Sequence, residues 1–138
     1  MDAHAAAERF VRVWEAAWAR HDVDAILALY AETCVHRSMP FRPPHRGRAE
    51  LAEYLRWSFA AEGRADVRFG TPVVGADGLA VAEFRVLAME KDEGAERPTA
   101  LAGCVFARFD ADGLAVETRD YWHTADGHDE PTGRLFLS

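Results

Sequence analysis

Ala76-Asp77-Gly78-Leu79-Ala80-Val81 and Ala111-Asp112-Gly113-Leu114-Ala115-Val116 are the same six residues, written twice in the second half of the chain. Asp-Gly supplies the positive φ values that a tight turn needs. The repeat therefore reads as one hairpin solution used twice. On either side lie segments that alternate apolar and polar residues, near 65–74, 79–90, 98–109 and 114–124. The two Asp-Gly turns join the first pair and the last pair. The charged stretch Asp92-Glu93-Gly94-Ala95-Glu96-Arg97-Pro98 makes an exposed middle turn. The result is a four-strand meander. A calcium loop at Asp110-Ala111-Asp112-Gly113 is ruled out by the missing third ligand and distal Glu.

Upstream the period changes. Phe10, Val13, Trp14, Ala17 and Trp18 follow i, i+3, i+4, i+7, i+8, the spacing of one helical face. His21-Asp22 breaks the pattern, and Asp22 suits the cap of a second helix with Val23, Ile26, Leu29 and Tyr30 on one face. Thr33 to Phe41 reads as extended, because Pro40, Pro43 and Pro44 oppose helix. Gly47 opens a third helix with Leu51, Leu55 and Phe59 aligned. Helices followed by an antiparallel meander give an α+β class, a curved antiparallel sheet with three N-terminal helices packed around an internal pocket. A length of 138 residues suits one domain, residues 1–126, with 127–138 as a tail in which Leu135-Phe136-Leu137 is available to dock on a neighbour.

Composition limits the chemistry. The chain has no Asn and no Gln, three Ser, one Lys and fifteen Arg. No N-glycosylation acceptor exists, and no carboxamide can stabilise an oxyanion. A net charge of -7 disfavours nucleic acid, because phosphate binding rests on clustered Lys and Arg. Arg42, His45, Arg46 and Arg48 form the densest basic stretch, and prolines interrupt it. No apolar run approaches a membrane span. The start, Met1-Asp2-Ala3-His4, lacks the form of a signal peptide, and Cys34 and Cys104 stand apart. A cytoplasmic setting with reduced cysteines is the expectation.

Strand parity follows from charge. With Glu117 and Arg119 facing solvent, Val116, Thr118, Asp120 and Trp122 face inward. The same logic turns Ala82, Phe84, Val86 and Ala88 inward, and likewise Leu101, Gly103, Val105 and Ala107, and His36 and Ser38. Ala82, Ala88, Gly103 and Ala107 are small and should leave space under the helices. Asp120 is then a carboxylate on an apolar face, where it needs a partner or a raised pKa. The candidate partners are His36, Ser38, Thr118 and the indoles of Trp14, Trp18 and Trp122. The opposite face carries Val81, Leu87, Met89, Cys104, Phe106 and Tyr121, a patch that a homodimer through the outer sheet face would cover.

Four stretches carry a resemblance: Leu29-Tyr30-Ala31-Glu32, Met39-Pro40-Phe41-Arg42-Pro43-Pro44 with Gly47-Arg48, Phe109-Asp110-Ala111-Asp112-Gly113, and Arg119-Asp120-Tyr121-Trp122. With three helices and a meander, residues 5–126 resemble the nuclear transport factor 2-like superfamily in its SnoaL-like branch. That fold hosts isomerases, cyclases, hydrolases, dehydratases and binders. The chain is locally similar to limonene epoxide hydrolase. There the catalytic carboxylate matches Asp120, and the water-holding Tyr and Asn match His36 and Ser38. The Arg and second Asp of that relay fall on Phe84 and Val86, so the relay is broken. Against ketosteroid isomerase, the oxyanion Tyr falls on Trp14, the protonated Asp on Val105, and the base near Ser38 or Met39, so that machinery is absent. The acid/base of SnoaL-like cyclases falls near His123, which parity points outward, leaving Asp120 as the better match.

The expectation is an enzyme acting on a small apolar or aromatic molecule by general acid/base chemistry. Asp120 is the proton carrier, His36 its orienting partner, and Ser38 holds a water or substrate oxygen. Trp14, Trp18, Tyr30, Met39, Leu55, Phe59, Phe84, Val86, Val105 and Trp122 form the walls. No nucleotide loop is present, so no cofactor is expected, and His36 with Asp120 supplies too few ligands for a metal. A non-catalytic module that binds small hydrophobic ligands as a dimer is the alternative. A purely structural dimerisation domain, its cavity filled by its own tryptophans, is the third.

Overall fold

The computed structural model describes residues 1–131. Helix α1 (Ala3–Arg20) starts where the Asp2 side chain accepts the Ala5 N–H at 2.7 Å, and it buries Ala6, Ala7, Phe10, Val11, Trp14 and Ala17. It stops at His21, a non-glycine residue in the left-handed region (φ 54) whose N–H returns to the last turn. Asp22 caps α2 (Val23–Leu27) as its spacing predicts. The second helical face does not extend to Leu29 and Tyr30. The Leu29 carbonyl accepts the Ala115 N–H at 2.8 Å, and Tyr30 opens strand β1 (Tyr30–Arg37), so sheet pairing overrides the local helical period. The chain then turns over Met39–Arg42, forms β2 (His45–Arg46) and enters α3 (Gly47–Ala60).

The remaining strands are β3 (Glu62–Phe69), β4 (Val73–Val74), β5 (Ala80–Asp92), β6 (Ala95–Phe109) and β7 (Ala115–Asp126). The sheet order is β2-β1-β7-β6-β5-β3, with β4 against β5. The α+β class and the meander are as expected. One pairing differs from a purely antiparallel sheet, since β1 joins β7 in parallel. Both repeated turns carry glycines at positive φ, Gly78 at 86° and Gly113 at 81°, and share one bonding pattern. Gly75 N–H donates to Leu79 O, and Asp110 N–H donates to Leu114 O, each at 2.8 Å. The middle turn is shorter than the charged stretch implies. Glu93 and Gly94 both take positive φ, so β5 and β6 pair as far as Asp92 and Ala95.

The inner-face parity holds except at the start of β7, where a register shift puts Ala115 rather than Val116 in the core. Across the sheet one row reads Phe69, Phe84, Gly103, Trp122, the next Ala82, Val105, Asp120, and a third Ala80, Ala107, Thr118, His36. A Cβ on Gly103 would stand 2.0 Å from the Tyr121 carbonyl oxygen and 2.7 Å from the Trp122 Cα. Glycine is therefore required for β6 to lie this close to β7 beside Asp120.

On the outer face, Arg85 does not meet solvent as its charge suggests. It is buried, bonded to Glu130 (2.9 Å), Asp66 Oδ2 (3.3 Å) and the Asp66 carbonyl (3.0 Å). The start of the tail lies against this face, where His128 Nε2 meets the Ala88 carbonyl at 2.8 Å. The docking expectation for Leu135-Phe136-Leu137 lies outside the described residues. Tyr121 is 44 % exposed, and Phe106 sits under the Arg119 guanidinium at 4.6 Å. Cys34 and Cys104 are free; Cys34 is buried and Cys104 half-buried. No helix among the described residues is long and apolar enough to cross a membrane.

Candidate functional site

Asp120 is the first β7 residue past the β1 pairing, whose last pair is Arg37 with Arg119. There β1 leaves the sheet, and the Ser38–Arg42 turn lies beside the next residues of β7. The Trp122 indole N–H donates to the Ser38 carbonyl at 2.9 Å and ties that turn to the strand. Between them lies a cleft of about 440 Å³ lined by Ser38, Met39, Phe41, Arg42, Asp120 and Trp122 among others. Phe41 stands wholly exposed at its rim.

His36 and Asp120 meet. His36 Nε2 lies 3.6 Å from Asp120 Oδ2, an ion-pair distance longer than a hydrogen bond. His36 Nδ1 lies 2.7 Å from Thr118 Oγ1. With Thr118 donating to Nδ1, the ring proton sits on Nε2 and faces the carboxylate. No hydrogen bond of 3.5 Å or less reaches the Asp120 carboxylate from the described residues. Its side chain keeps 21 % of its surface open. Desolvation by the surrounding apolar groups still raises its pKa to about 7. Burial, and secondarily the nearby His45 imidazole, lower His36 to about 3, so its ring is neutral at physiological pH.

Sequence parity missed two members of this cluster. Tyr54 of α3 packs on the His45 ring (4.4 Å between centroids) and approaches His36 (5.6 Å). Burial raises its pKa, the neighbouring Ser38 side chain lowers it, and the Asp120 charge raises it further. The signal was available, because Tyr54 follows Leu51 by three residues on the inward stripe. His45 was read only as part of a basic stretch.

The expected internal pocket is mostly filled. Phe10, Trp14, Trp18, Tyr30, Phe69, Phe84, Val105 and Asp120 enclose about 20 Å³, room for one water but not for a substrate. The small sheet residues do leave space, and the edge-to-face pair Trp14–Trp18 (5.6 Å) occupies it together with Phe10 and Phe84. Two buried donors on this wall, Trp14 Nε1 and Tyr30 Oη, have no hydrogen-bond partner among the described residues, although Tyr30 is close enough to Thr118 and Trp14 for both to lower its pKa. Burial raises the Tyr30 pKa, so its phenol stays protonated.

The predicted wall residues therefore separate. Trp14, Trp18, Tyr30, Phe84 and Val105 surround the small cavity, and Met39 and Trp122 line the cleft at Asp120. Val86 and Trp122 line a larger cleft of about 710 Å³, with Trp57, Leu101, Glu62 and Arg97. Leu55 and Phe59 belong to the core and line none of these spaces. Arg42 and Arg97 line the two clefts, one in each. Among the described residues no group of three His, Cys, Asp or Glu side chains is arranged to hold a metal ion.

The model of a family described as the SnoaL-like domain matches residues 8–118. Among solved structures, the chain is similar to a candidate polyketide cyclase from Xanthomonas campestris pv. campestris. Identity is 26 %, the TM-score is 0.74, and the match covers 88 % of this chain and 93 % of that one. It is also similar to a ketosteroid isomerase-like protein from Erwinia carotovora atroseptica (23 % identity, TM-score 0.66, 84 % and 92 % covered). A third is Rv0760c from Mycobacterium tuberculosis (17 %, TM-score 0.71, 88 % and 96 %). The last two bear on the fold alone. None of the curated proteins matches the chain.

Proposed function

The chain belongs to the SnoaL-like domain family, and from that premise we propose that it is an enzyme moving a proton on a small apolar or aromatic molecule, with Asp120 as the acid/base. The observation that carries this is the state of the Asp120 carboxyl. It is desolvated, raised to about 7, free of hydrogen bonds from the described residues and open to a cleft. A group whose pKa lies near the working pH can both take and return a proton, worth about 10²–10⁴-fold in rate. His36, neutral and fixed by Thr118, orients the carboxyl from one side. Ser38 sits at the mouth, where its hydroxyl can hold a substrate oxygen or a water. Met39 and Trp122 supply apolar contact. Ring closure, the activity in the name of the Xanthomonas structure, is one reaction such a group serves; isomerisation and epoxide hydration are others. None of these needs a cofactor.

Screening apolar epoxides, enones and polyketide-like ketones against the wild type and Asp120→Asn tests the proposal. Turnover that disappears in the variant supports it, and equal turnover in both removes Asp120 from the mechanism. Ligand binding that weakens in the variant with no reaction in either protein favours a non-catalytic binding module. The partly uncovered outer face around Tyr121 supports the further proposal of a homodimer, which sedimentation of wild type and Tyr121→Glu tests.

A further inference from the structure

We propose that the larger cleft is a second ligand site, anchored by Glu62, and that it takes a small molecule bearing an ammonium group on an aromatic or aliphatic body. The proposal stands whether or not Asp120 carries protons, because its anchor, Glu62, lies outside that site, and the two clefts share only the Trp122 side chain among their described lining.

The cleft holds about 710 Å³, within the range of small-molecule sites. Its apolar walls include Val86, Leu101, Trp122 and Trp57, and Trp57 leaves 73 % of its surface open. Its charged lining is Glu62, Glu90, Asp126 and Arg97. Arg97 is already committed, to Glu90 at 3.2 Å and to Asp126 at 3.0 Å. That leaves the Glu62 carboxylate without a guanidinium in this space, and the lining as a whole acidic.

Glu62 is held in place from behind. The Trp18 indole N–H donates to Oε1 at 3.0 Å and reaches Oε2 at 3.3 Å, while His21 Nε2 meets Oε1 at 2.9 Å. Most of this bonding falls on Oε1. A carboxylate offers about four acceptor positions, so capacity remains, chiefly on Oε2. The side chain is 17 % exposed, and burial raises its pKa, so its charge is under-solvated where it stands. His21 also occupies a left-handed position that glycine takes at lower cost. Its ring lies flat on Phe59 (4.5 Å, 10°) with Nε2 at Glu62. A simple tie between the end of α1 and the start of β3 accounts for those bonds. It does not account for an acidic space walled by open indole faces, which attract cations. A cation there gains from the carboxylate and the rings together, a neutral ligand only from the rings, and an anion is repelled.

The test uses the whole chain and three soluble probes of similar shape: phenethylammonium, 2-phenylethanol and 3-phenylpropionate. Affinities come from calorimetry, and the site from ¹⁵N shifts of the backbone and indole N–H groups. The expected result is that phenethylammonium binds on the order of tenfold tighter than the alcohol, that the acid does not bind, and that shifts appear at Trp57, which lines this cleft and not the one at Asp120. Glu62→Gln should bring the amine and the alcohol to within about twofold of each other. Arg97→Gln, at an exposed position that does not depend on Glu62, should free Glu90 and Asp126 and tighten the amine several-fold. Equal binding of the three probes overturns the proposal. So does a preference that survives Glu62→Gln in a folded variant, an amine affinity unchanged by Arg97→Gln, or shifts confined to Ser38–Arg42. Asp120→Asn should leave the preference intact, so failure here is separate from failure of the acid/base proposal.

Discussion

Among the described residues there are two carboxylate–histidine pairs, and they are built in opposite ways. In the Glu62–His21 pair the imidazole nitrogen is 2.9 Å from the carboxylate, and an indole N–H adds a second bond. In the Asp120–His36 pair the closest approach is 3.6 Å, and the histidine spends its other nitrogen on Thr118. Both carboxylates are desolvated, and both pKa values are raised. For Glu62, hydrogen bonds from His21 and Trp18 oppose the rise; for Asp120 desolvation acts alone. A carboxylate held in place by its own donors serves as an anchor. One left short of partners has proton affinity to spare for a substrate.

The sharpest way to break this contrast is to remove each charge in turn. With a substrate from the screen, Asp120→Asn should lose about 10²–10⁴-fold in kcat, while Glu62→Gln should change kcat by no more than a few-fold. Steady-state rates on folded variants decide it, and similar losses in both would end the distinction.

Next in size is the packing that brings Asp120 to its cleft. Gly103→Ala puts a methyl group 2.0 Å from the Tyr121 carbonyl, which is backbone and cannot move aside cheaply. It should cost about 3 kcal/mol and displace Trp122. The equivalent change beside Glu62, Gly63→Ala, meets the Met89 carbonyl at 3.0 Å and the flexible Glu96 side chain at 3.2 Å. It should cost about 1 kcal/mol. Denaturant melts of the two variants give the ratio, and equal costs would mean that β6 and β7 can separate freely at Asp120.

How much of this was legible in the sequence depends on the range of the forces involved. Charge parity along single strands was enough to turn His36, Ser38, Thr118, Asp120 and Trp122 inward, because a strand's alternation is local. The repeated Asp-Gly turns fixed the meander for the same reason. The Glu62–His21 contact was not legible. It joins residues 41 apart in the chain and exists only because the end of α1 meets the start of β3. The parallel seat of β1 against β7, and the burial of Arg85 under Glu130, are likewise set by distant chain. The pocket expectation failed on volume: small sheet residues predict space but not which neighbours fill it, and here Trp14 and Trp18 do.

Smaller in slope, but more specific, is the pH dependence of stability. Asp120 has a folded pKa raised to about 7. Its contribution is complete below the unfolded value near 4 and is lost as pH rises through about 7. His36 has a folded pKa lowered to about 3. Its contribution is complete above about 6.5 and is lost as pH falls towards 3. Between about pH 4 and 6.5 the two slopes oppose each other, each at most about 1.4 kcal/mol per pH unit. Asp120 is partly open, so its slope should be about half of that. Wild-type stability should vary little across the shared window. Asp120→Asn should uncover the histidine slope, with stability rising with pH. His36→Phe should uncover the carboxyl slope, with stability falling towards pH 7. Urea melts at half-unit intervals read both signs, and two variants sloping the same way would show that the groups do not titrate as a pair.

The smallest effect isolates a single hydrogen bond. Trp14 and Trp18 are neighbours on α1, pack edge to face, and share the wall of the same small cavity. Only the Trp18 indole N–H has a partner, Glu62; the Trp14 N–H has none. Replacing either with Phe removes similar ring volume from similar surroundings, so much of the packing cost cancels in the difference between the variants. What remains is the bond to the carboxylate, about 1.5 kcal/mol for a hydrogen bond to a charged group. Trp18→Phe should be the less stable by that amount at pH 7. The gap should narrow in a Glu62→Gln background, where the acceptor is no longer charged. An equal loss in the two variants would mean that the indole contributes packing alone, and that His21 by itself holds the Glu62 anchor.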